Sequence, residues 1–197
     1  GNAAGWGGGI YVKGGGLAYL NGNRVVDNRA DIGGGIFIRE TDSVLTDNRI
    51  EDNVVDTNVG GGVYQRGGVA HLRGNVIDGN RALGSAGGGI YLRYPEPGSL
   101  LEGNEIRGNW ASGAGGGIVI QSGSAELRGN SFLGNVTDGW GGGGYLVSSD
   151  DVVFEENMLR DNRAGKSGGA LYLHSSDVMI QATQVLSNAG VEGGGGL

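Results

Sequence analysis

A glycine run followed by a short apolar stretch recurs along the whole chain, as in Gly-Gly-Gly-Ile-Phe-Ile at residues 33–38. The first apolar residues after successive runs lie 26 to 28 positions apart. They are Ile10, Ile36, Val63, Ile90, Ile118, Tyr145, Leu171 and Leu197. A fixed period of this length is typical of a solenoid, in which each repeat forms one coil and stacks on the next.

Within each repeat, apolar and polar residues alternate at a period of two, as in Ala-His-Leu-Arg at residues 70–73. This alternation predicts short strands with one face directed inward. No repeat has a helical periodicity long enough to predict a helix. We therefore predict an all-β fold, a single-stranded parallel β-helix with three short strands per coil and about seven coils. We expect one domain over residues 1–197, uncapped at both ends and belonging to a longer chain, because neither terminus resembles a solenoid cap.

Two asparagine columns run in phase with the repeat. The first contains Asn23, Asn48, Asn75, Asn104, Asn130 and Asn157, and Thr183 takes the next position. The second contains Asn28, Asn53, Asn80, Asn109, Asn135, Asn162 and Asn188. Stacked strands lie about 4.8 Å apart, so an amide at a bend can donate to the same amide one coil on and accept from the coil before. We interpret both columns as structural ladders rather than ligand sites.

Charge and composition exclude several classes of function. The net charge is -7 and no basic stripe is evident, so we expect no nucleic-acid partner, because phosphate binding needs clustered lysine and arginine. The chain has no cysteine, which excludes disulfides and thiolate metal sites. No apolar run approaches the length of a membrane helix, so we expect no membrane span in this segment.

The repeat motifs resemble those of known β-helices. Gly-Gly-Ala-Leu at residues 168–171 is similar to the Gly-Gly-Ala-Ile motif of chlamydial polymorphic outer membrane protein repeats, and Phe-Glu-Glu-Asn at 154–157 to their Phe-x-x-Asn motif. The whole chain also resembles the right-handed parallel β-helices of the pectin-lyase-like superfamily. That resemblance and the general preference of parallel crossovers imply a right-handed coil. The superfamily includes polysaccharide lyases, glycosidases, adhesins and passenger domains, so the likeness implies a fold rather than an activity.

One cluster of carboxylates is a candidate metal site. It consists of Asp27, Glu51, Asp52 and Asp78, which lie close together in adjacent coils. Oxygen ligands of this kind suit Ca²⁺, and a carboxylate pair can also serve as acid and base. A solvated ion-pair face with Arg24 and Arg49 explains the same residues, and we otherwise expect no cofactor. The two histidines, His71 and His174, lie about four coils apart, which is too far for a shared metal.

A second column is a candidate interaction face. Ile10 and Val12 should point inward, so the residue between them should point outward beside the glycines. This column is predicted to contain Tyr11, Phe37, Tyr64, Tyr91, Val119, Leu146 and Tyr172. Stacked rings stabilise a sheet, and an exposed apolar stripe also marks an interaction surface.

We expect a non-enzymatic structural or adhesive β-helix outside the cell or on its surface, of bacterial or archaeal origin. It would act as a stalk, an adhesin passenger or a subunit of an extracellular filament, sheath or sheet. Its partners would be other proteins, including copies of itself, or glycans. The alternative is a polysaccharide lyase or glycoside hydrolase whose active site lies outside this segment. Uniform coils favour the first interpretation, because enzymes of this superfamily are expected to build a cleft from long loops.

Overall fold

The computed structural model describes residues 1–196, which form an all-β solenoid of stacked coils with no helix in that range. Leu197, the last of the landmark residues, lies outside the described residues. Every strand pair is parallel, and each strand pairs with its counterparts in the preceding and following coils. The predicted fold class and the number of about seven coils are thereby confirmed.

The strands form four sheets, which we name A to D. Sheet A contains β1 (Ala3–Trp6), β5 (Arg29–Ile32), β9 (Val54–Val55), β13 (Arg81–Ala82), β17 (Trp110–Ala111), β21 (Val136–Thr137), β25 (Arg163–Ala164) and β29 (Ala189–Gly190). Sheet B contains β2 (Ile10–Lys13), β6 (Ile36–Arg39), β10 (Val63–Arg66), β14 (Ile90–Arg93), β18 (Ile118–Gln121), β22 (Gly144–Val147) and β26 (Leu171–His174). Sheet C contains β3 (Leu17–Asn21), β7 (Asp42–Thr46), β11 (Ala70–Arg73), β15 (Leu100–Glu102), β19 (Glu126–Arg128), β23 (Val152–Glu155) and β27 (Val178–Gln181). Sheet D contains β4 (Arg24–Val26), β8 (Arg49–Glu51), β12 (Val76–Asp78), β16 (Glu105–Arg107), β20 (Ser131–Leu133), β24 (Met158–Arg160) and β28 (Gln184–Leu186).

Each coil therefore has four strands, where the sequence pattern predicts three. The additional strand belongs to sheet A and lies between the second asparagine column and the glycine corner. In most coils this strand has only two residues, as in β13. Two residues are too few to display an alternation of apolar and polar side chains, so the sequence pattern does not reveal the strand.

The core consists of inward-pointing side chains stacked in columns. Sheet C contributes Leu45, Leu72, Leu101, Leu127 and Phe154, and sheet D contributes Ile50, Ile77, Ile106, Phe132 and Leu159, all of them buried. Successive members of a column are strand partners, as the register of Ile77 with Ile50 and Ile106 shows. The phase of the apolar pattern thus sets the register of the coils, because a slip of one residue would direct these side chains to solvent.

Both asparagine columns form the predicted ladders. Asn75 is typical: its Nδ2 donates to Oδ1 of Asn104 in the next coil at 2.9 Å and to the carbonyl oxygen of Leu45 at 2.8 Å. Its backbone N–H also donates to Oδ1 of Asn104, at 3.0 Å. Each internal amide thus uses both of its donors and accepts twice. Thr183 ends the first ladder with a weaker contact, since its Oγ1 lies 3.4 Å from the backbone nitrogen of Asn157.

The glycine runs form the corner between sheets A and B, where successive coils approach most closely. A Cβ added at Gly62 would lie 2.7 Å from the carbonyl oxygen of Gly89 and 3.0 Å from the side-chain amide of Asn80. In the seven runs from Gly7 to Gly168, the first glycine has a positive φ, for example 75° at Gly60. A side chain at this corner would therefore separate the coils and disturb the second ladder, which is why glycine recurs there.

Candidate interaction surface

The outward column of sheet B is a continuous stack of aromatic rings in its first coils. Ring centres of Phe37 and Tyr64 lie 4.7 Å apart with nearly parallel planes, and those of Tyr11 and Phe37 lie 5.2 Å apart. Tyr64 and Tyr91 meet edge to face at 5.5 Å. The rings belong to residues paired in register across β2, β6, β10 and β14.

Leu146 does not belong to this column, which corrects the sequence prediction. Its place is taken by Tyr145, which pairs with Val119 on one side and Tyr172 on the other. Leu146 points into the core and is fully buried. The error arises because the glycine run of this coil has one extra member, and Gly144 occupies the inward position that an apolar residue fills elsewhere.

The middle of the column is buried, so the expectation of an exposed apolar stripe is wrong there. Phe37, Tyr64 and Tyr91 are only 4%, 5% and 9% exposed, and Val119 is 1% exposed. Ile32, Val59 and Ala86 pack against this cluster. These three residues precede the glycine corner, and the tight turn brings each one over an outward ring. The column therefore forms a second, smaller hydrophobic layer outside the core.

Aromatic surface is accessible only near the ends of this column. Tyr11 is 38% exposed and packs edge to face with Trp6, whose ring centre lies 5.7 Å away. At the other end Tyr172 lies beside Trp140, with ring centres 6.3 Å apart. Lys166 places its Nζ 3.9 Å from the centre of the Trp140 ring, a cation–π contact that covers part of that surface.

The carboxylates predicted to bind calcium do lie together, on the outer side of sheet D and its following corner. The pKa of Asp52 is raised, first by desolvation and then by the negative charges of Asp27, Asp78 and Glu51. Arginines neutralise two members, because Glu51 pairs with Arg49 at 2.9 Å and Asp78 with Arg107 at 2.9 Å. No group of three or more metal-binding side chains is arranged to hold an ion within residues 1–196. The geometry therefore favours the ion-pair interpretation.

The two histidines have separate surroundings. His71 lies on the outer face of β11 and donates its Nε2–H to the carbonyl oxygen of Gly98 at 2.9 Å. Gly98 belongs to the turn between β14 and β15, which contains both prolines and is the longest turn at this corner. His71 thus anchors that turn. His174 is exposed on β26, in another sheet and four coils farther along.

Several depressions lie at or near this turn. A groove of about 370 Å³ crosses the outer face of sheet C and is lined by Tyr19, Val44, His71 and Leu100, with the ion pair of Arg73 and Glu102 at its edge. A second depression, of about 340 Å³, lies at the corner between sheets B and C. It is lined by Glu40, Asp42 and Glu96 together with glycines. The first suits an amphipathic partner, and neither brings together a nucleophile, a base and an oxyanion site.

Sheet B carries a basic stripe, so the expectation from the sequence that the chain has none is wrong. Lys13, Arg39, Arg66 and Arg93 are direct partners in four successive coils. They point outward, as the aromatic column does, because the two columns are two residues apart on each strand. The signal was present in the sequence, since the four residues are spaced by 26 or 27 positions, the same interval as the repeat itself.

Comparison with protein-family models adds a family to this geometry. The model of the family described as periplasmic copper-binding protein (NosD) matches residues 8–167, which is most of the chain. The chain belongs to the NosD family. The β-helix architecture agrees with this assignment, and the family description is consistent with a location in the cell envelope. Searches of curated proteins and of solved structures find no match. The likeness to chlamydial repeats stays a prediction.

The description of the NosD family includes copper. The side chains present in this chain can therefore be compared with those that copper prefers as ligands. Copper prefers thiolate, thioether and imidazole ligands. The chain has no cysteine, two methionines and two histidines. His71 and His174 are four coils apart, and residues 1–196 contain no cluster of three metal-binding side chains. The described residues therefore do not fit a copper site, and no step of a mechanism passes through the metal.

Proposed function

We propose that this chain is a rigid, non-catalytic rod of the cell envelope that presents repeated surface groups to a macromolecular partner. The observation that carries the proposal is the pair of continuous, hydrogen-bonded asparagine ladders. Amides of the ladders are almost fully buried, as the 0% exposure of Asn53, Asn80 and Asn109 illustrates. Buried amides with all partners satisfied hold a unique geometry and resist local opening.

The second hydrophobic layer supports the same proposal. Aromatic residues that the sequence pattern assigns to an open face instead join the glycine corner to sheet B. The rod is thereby stiffened on two sides of its wall, by the ladders at the corners of sheet D and by the rings at the corner of sheet B. A stiff rod keeps surface groups at a constant spacing, which favours multivalent contact with a repeating partner.

The uniform coils also argue for presentation rather than catalysis. Among the described turns between sheets B and C, the turn after β14 is the longest, and a hydrogen bond from His71 holds it against sheet C. The depressions beside it are lined by this turn, through Glu96 and Pro97, and by short turns of neighbouring coils. The alternative of a polysaccharide lyase or hydrolase with its active site elsewhere in a longer chain stays a prediction.

The proposal is tested by measuring rigidity and catalysis on the same purified chain. Native-state hydrogen exchange should show the amide N–H groups of both asparagine columns among the slowest to exchange, because they donate to buried side-chain oxygens. Incubation with a panel of neutral and acidic polysaccharides should leave their chain lengths unchanged. Electron microscopy of concentrated protein should show rods, either isolated or packed side by side.

Two results would overturn the proposal. Fast exchange throughout the ladders would mean that the coils open readily and cannot act as a rigid rod. Shortening of a polysaccharide at a rate proportional to protein concentration would show an active site. Abolition of that cleavage by substitution of Asp150 and Asp151, which lie beside the enlarged turn, would locate it on this chain.

A further inference from the structure

The basic stripe of sheet B, formed by Lys13, Arg39, Arg66 and Arg93, is unusual for a chain whose net charge is -7. Many arginines elsewhere on the solenoid form ion pairs with carboxylates, as Arg107 does with Asp78 and Glu105. The stripe stacks four cations on one another in consecutive coils. Like charges in adjacent strands repel, so this arrangement lowers the stability of the free chain. A bound anion would offset that repulsion.

Only one member of the stripe has a carboxylate partner. Arg39 pairs with Glu40, its neighbour in sequence, at 3.0 Å. Within residues 1–196, Lys13, Arg66 and Arg93 form no ion pair. Three of the four positive charges therefore remain available to an external anion, and two of them, Arg66 and Arg93, are direct neighbours in the column.

Arg93 is held in place without being neutralised. Its guanidinium lies over the ring of Tyr94, 5.0 Å from the ring centre, and its Nη2 donates to the Tyr94 hydroxyl at 3.3 Å. Its Nε is buried and has no hydrogen-bond partner among the described residues. Because Nε is buried, Arg93 can meet an external carboxylate or phosphate only through the terminal nitrogens of its guanidinium, which the ring of Tyr94 orients.

The spacing of the stripe defines the kind of anion. Strand partners in adjacent coils are about 4.8 Å apart, so the four cations extend over about 14 Å along the rod axis. A complementary ligand is a linear chain that runs along this axis and carries one negative charge per coil. Acidic polysaccharides with one carboxylate per sugar have this form, because one sugar advances the chain by a distance similar to one coil.

The surroundings of the stripe disfavour single-stranded nucleic acid. Proteins that bind such strands without sequence preference combine cations with aromatic rings on which bases stack. Here the neighbouring rings of Phe37, Tyr64 and Tyr91 are buried beneath the glycine corner and offer no platform. The stripe therefore offers charge without stacking, which suits a carboxylated sugar chain better.

We propose that the basic stripe binds an acidic polysaccharide that lies along the rod axis across the first four coils. This binding site rests on the proposed function, because it identifies the partner to which the rigid rod presents its surface. The next residue in the column is Gln121, which is neutral, so the site ends there. Glu40, Asp42 and Glu96 at the adjoining corner repel the polymer and confine it to the face of sheet B.

The test is binding of the purified chain to alginate, a polymer with one carboxylate per sugar, with dextran as the uncharged polymer. Each cation near an anionic surface contributes about fivefold in affinity at moderate salt. Arg66→Gln and Arg93→Gln should therefore each weaken alginate binding about fivefold. Each should also lower the dependence of log affinity on log salt by about one. Arg163→Gln removes an exposed arginine from β25 of sheet A, and this matched control should bind as the unchanged chain does.

Several outcomes would overturn the proposal. These are no binding to alginate at low salt, equal loss in the Arg163→Gln control, or equally tight binding of a single-stranded oligodeoxynucleotide. The melting temperature of every variant is measured as well, to show that each one is folded. Arg66→Lys keeps the charge, so it should bind alginate more tightly than Arg66→Gln and almost as tightly as the unchanged chain. The length of alginate after incubation separates the two proposals. Tight binding with cleavage would refute the non-catalytic rod and keep the stripe, whereas an inert rod without binding would refute the stripe alone.

Discussion

Replacement of Asn104 by aspartate tests the ladder where it is most fully formed. Asn104 is 1% exposed. Its Nδ2 donates to the carbonyl oxygen of Leu72 at 2.8 Å and to Oδ1 of Asn130 at 2.9 Å. Asn104→Asp has nearly the same shape, but it replaces this double donor by an oxygen. The carbonyl oxygen of Leu72 and Oδ1 of Asn130 would then both face a carboxylate oxygen, which is also an acceptor. The carboxylate would in addition carry a buried charge.

The expected cost follows from the contacts that are lost. A buried acceptor without a partner costs about 1–3 kcal/mol, and more when a charge is involved. Oδ1 of Asn130 keeps the bond from the backbone N–H of Asn104 at 2.9 Å, so its loss is partial. The carbonyl of Leu72 loses the amide donor, and the charge adds its desolvation. We expect Asn104→Asp to lower the free energy of unfolding by about 4 kcal/mol at neutral pH.

The sign of the pH dependence provides an independent check. Burial favours the neutral acid, so the pKa of the introduced carboxyl in the folded chain should lie above its unfolded value of about 3.9. The penalty is then complete at neutral pH and decreases as the pH falls through the folded pKa. The protonated acid regains one donor, and the remaining cost should be about half the neutral value, about 2 kcal/mol.

Denaturant unfolding of the original chain, of Asn104→Asp and of Asn58→Asp measures these effects. Asn58 is exposed and lies in the turn between sheets A and B, so Asn58→Asp adds the same charge outside the ladder. The control should change the free energy of unfolding by less than about 0.5 kcal/mol. If Asn104→Asp unfolds at the same denaturant concentration as the control, the column is solvated and the reasoning is refuted.

Three further predictions use other parts of the molecule. Burial raises the pKa of Tyr91 to about 12. The neutral Tyr91 hydroxyl therefore contributes fully to the free energy of unfolding below a pH of about 10, and this contribution is lost as the pH rises toward the pKa of Tyr91 in the folded chain. Tyr91→Phe removes the ionisable group and should move the midpoint of alkaline denaturation upward. Gly89→Ala places a Cβ 2.6 Å from the carbonyl oxygen of Gly117 and should lower the free energy of unfolding by about 2 kcal/mol, whereas Gly5→Ala, with nothing within 4 Å, should change it little in the same denaturant series. Calorimetric titration with copper should show no stoichiometric site, and a site that disappears on replacing His71 and His174 by alanine would contradict the fit of the donor set.

Periodic features of the fold could be predicted because each coil repeats the same local physics. The interval of the glycine runs predicts the number of coils, and the columns at Asn75 and Asn80 predict the ladders, since both depend only on the position of a residue within its repeat. The basic stripe has the same periodicity. Net charge does not reveal the stripe, because it counts charges without regard to their spacing.

Features that depend on packing between segments could not be predicted in this way. Burial of Phe37 and Tyr64 comes from Ile32 and Val59, which precede the glycine corner and fold back over the rings. An alternation pattern assigns a side chain to one face of a strand, but it does not indicate what covers that face. Leu146 was misplaced for a related reason, because a glycine can occupy an inward position that the pattern reserves for an apolar residue.

The ladders also give the rod a direction. Wherever two asparagines are neighbours in a ladder, Nδ2 of the earlier one donates to Oδ1 of the later one, as the bonds from Asn48 to Asn75 and from Asn75 to Asn104 show. All of these bond dipoles point the same way, and each one polarises the next. The two faces across a break in a ladder are therefore chemically different. The earlier coil offers an Nδ2–H and a backbone N–H beside one carbonyl oxygen, whereas the later coil offers the Oδ1 acceptor beside one Nδ2–H. Two such rods can continue the ladder only when they join head to tail, an arrangement that extends without closing.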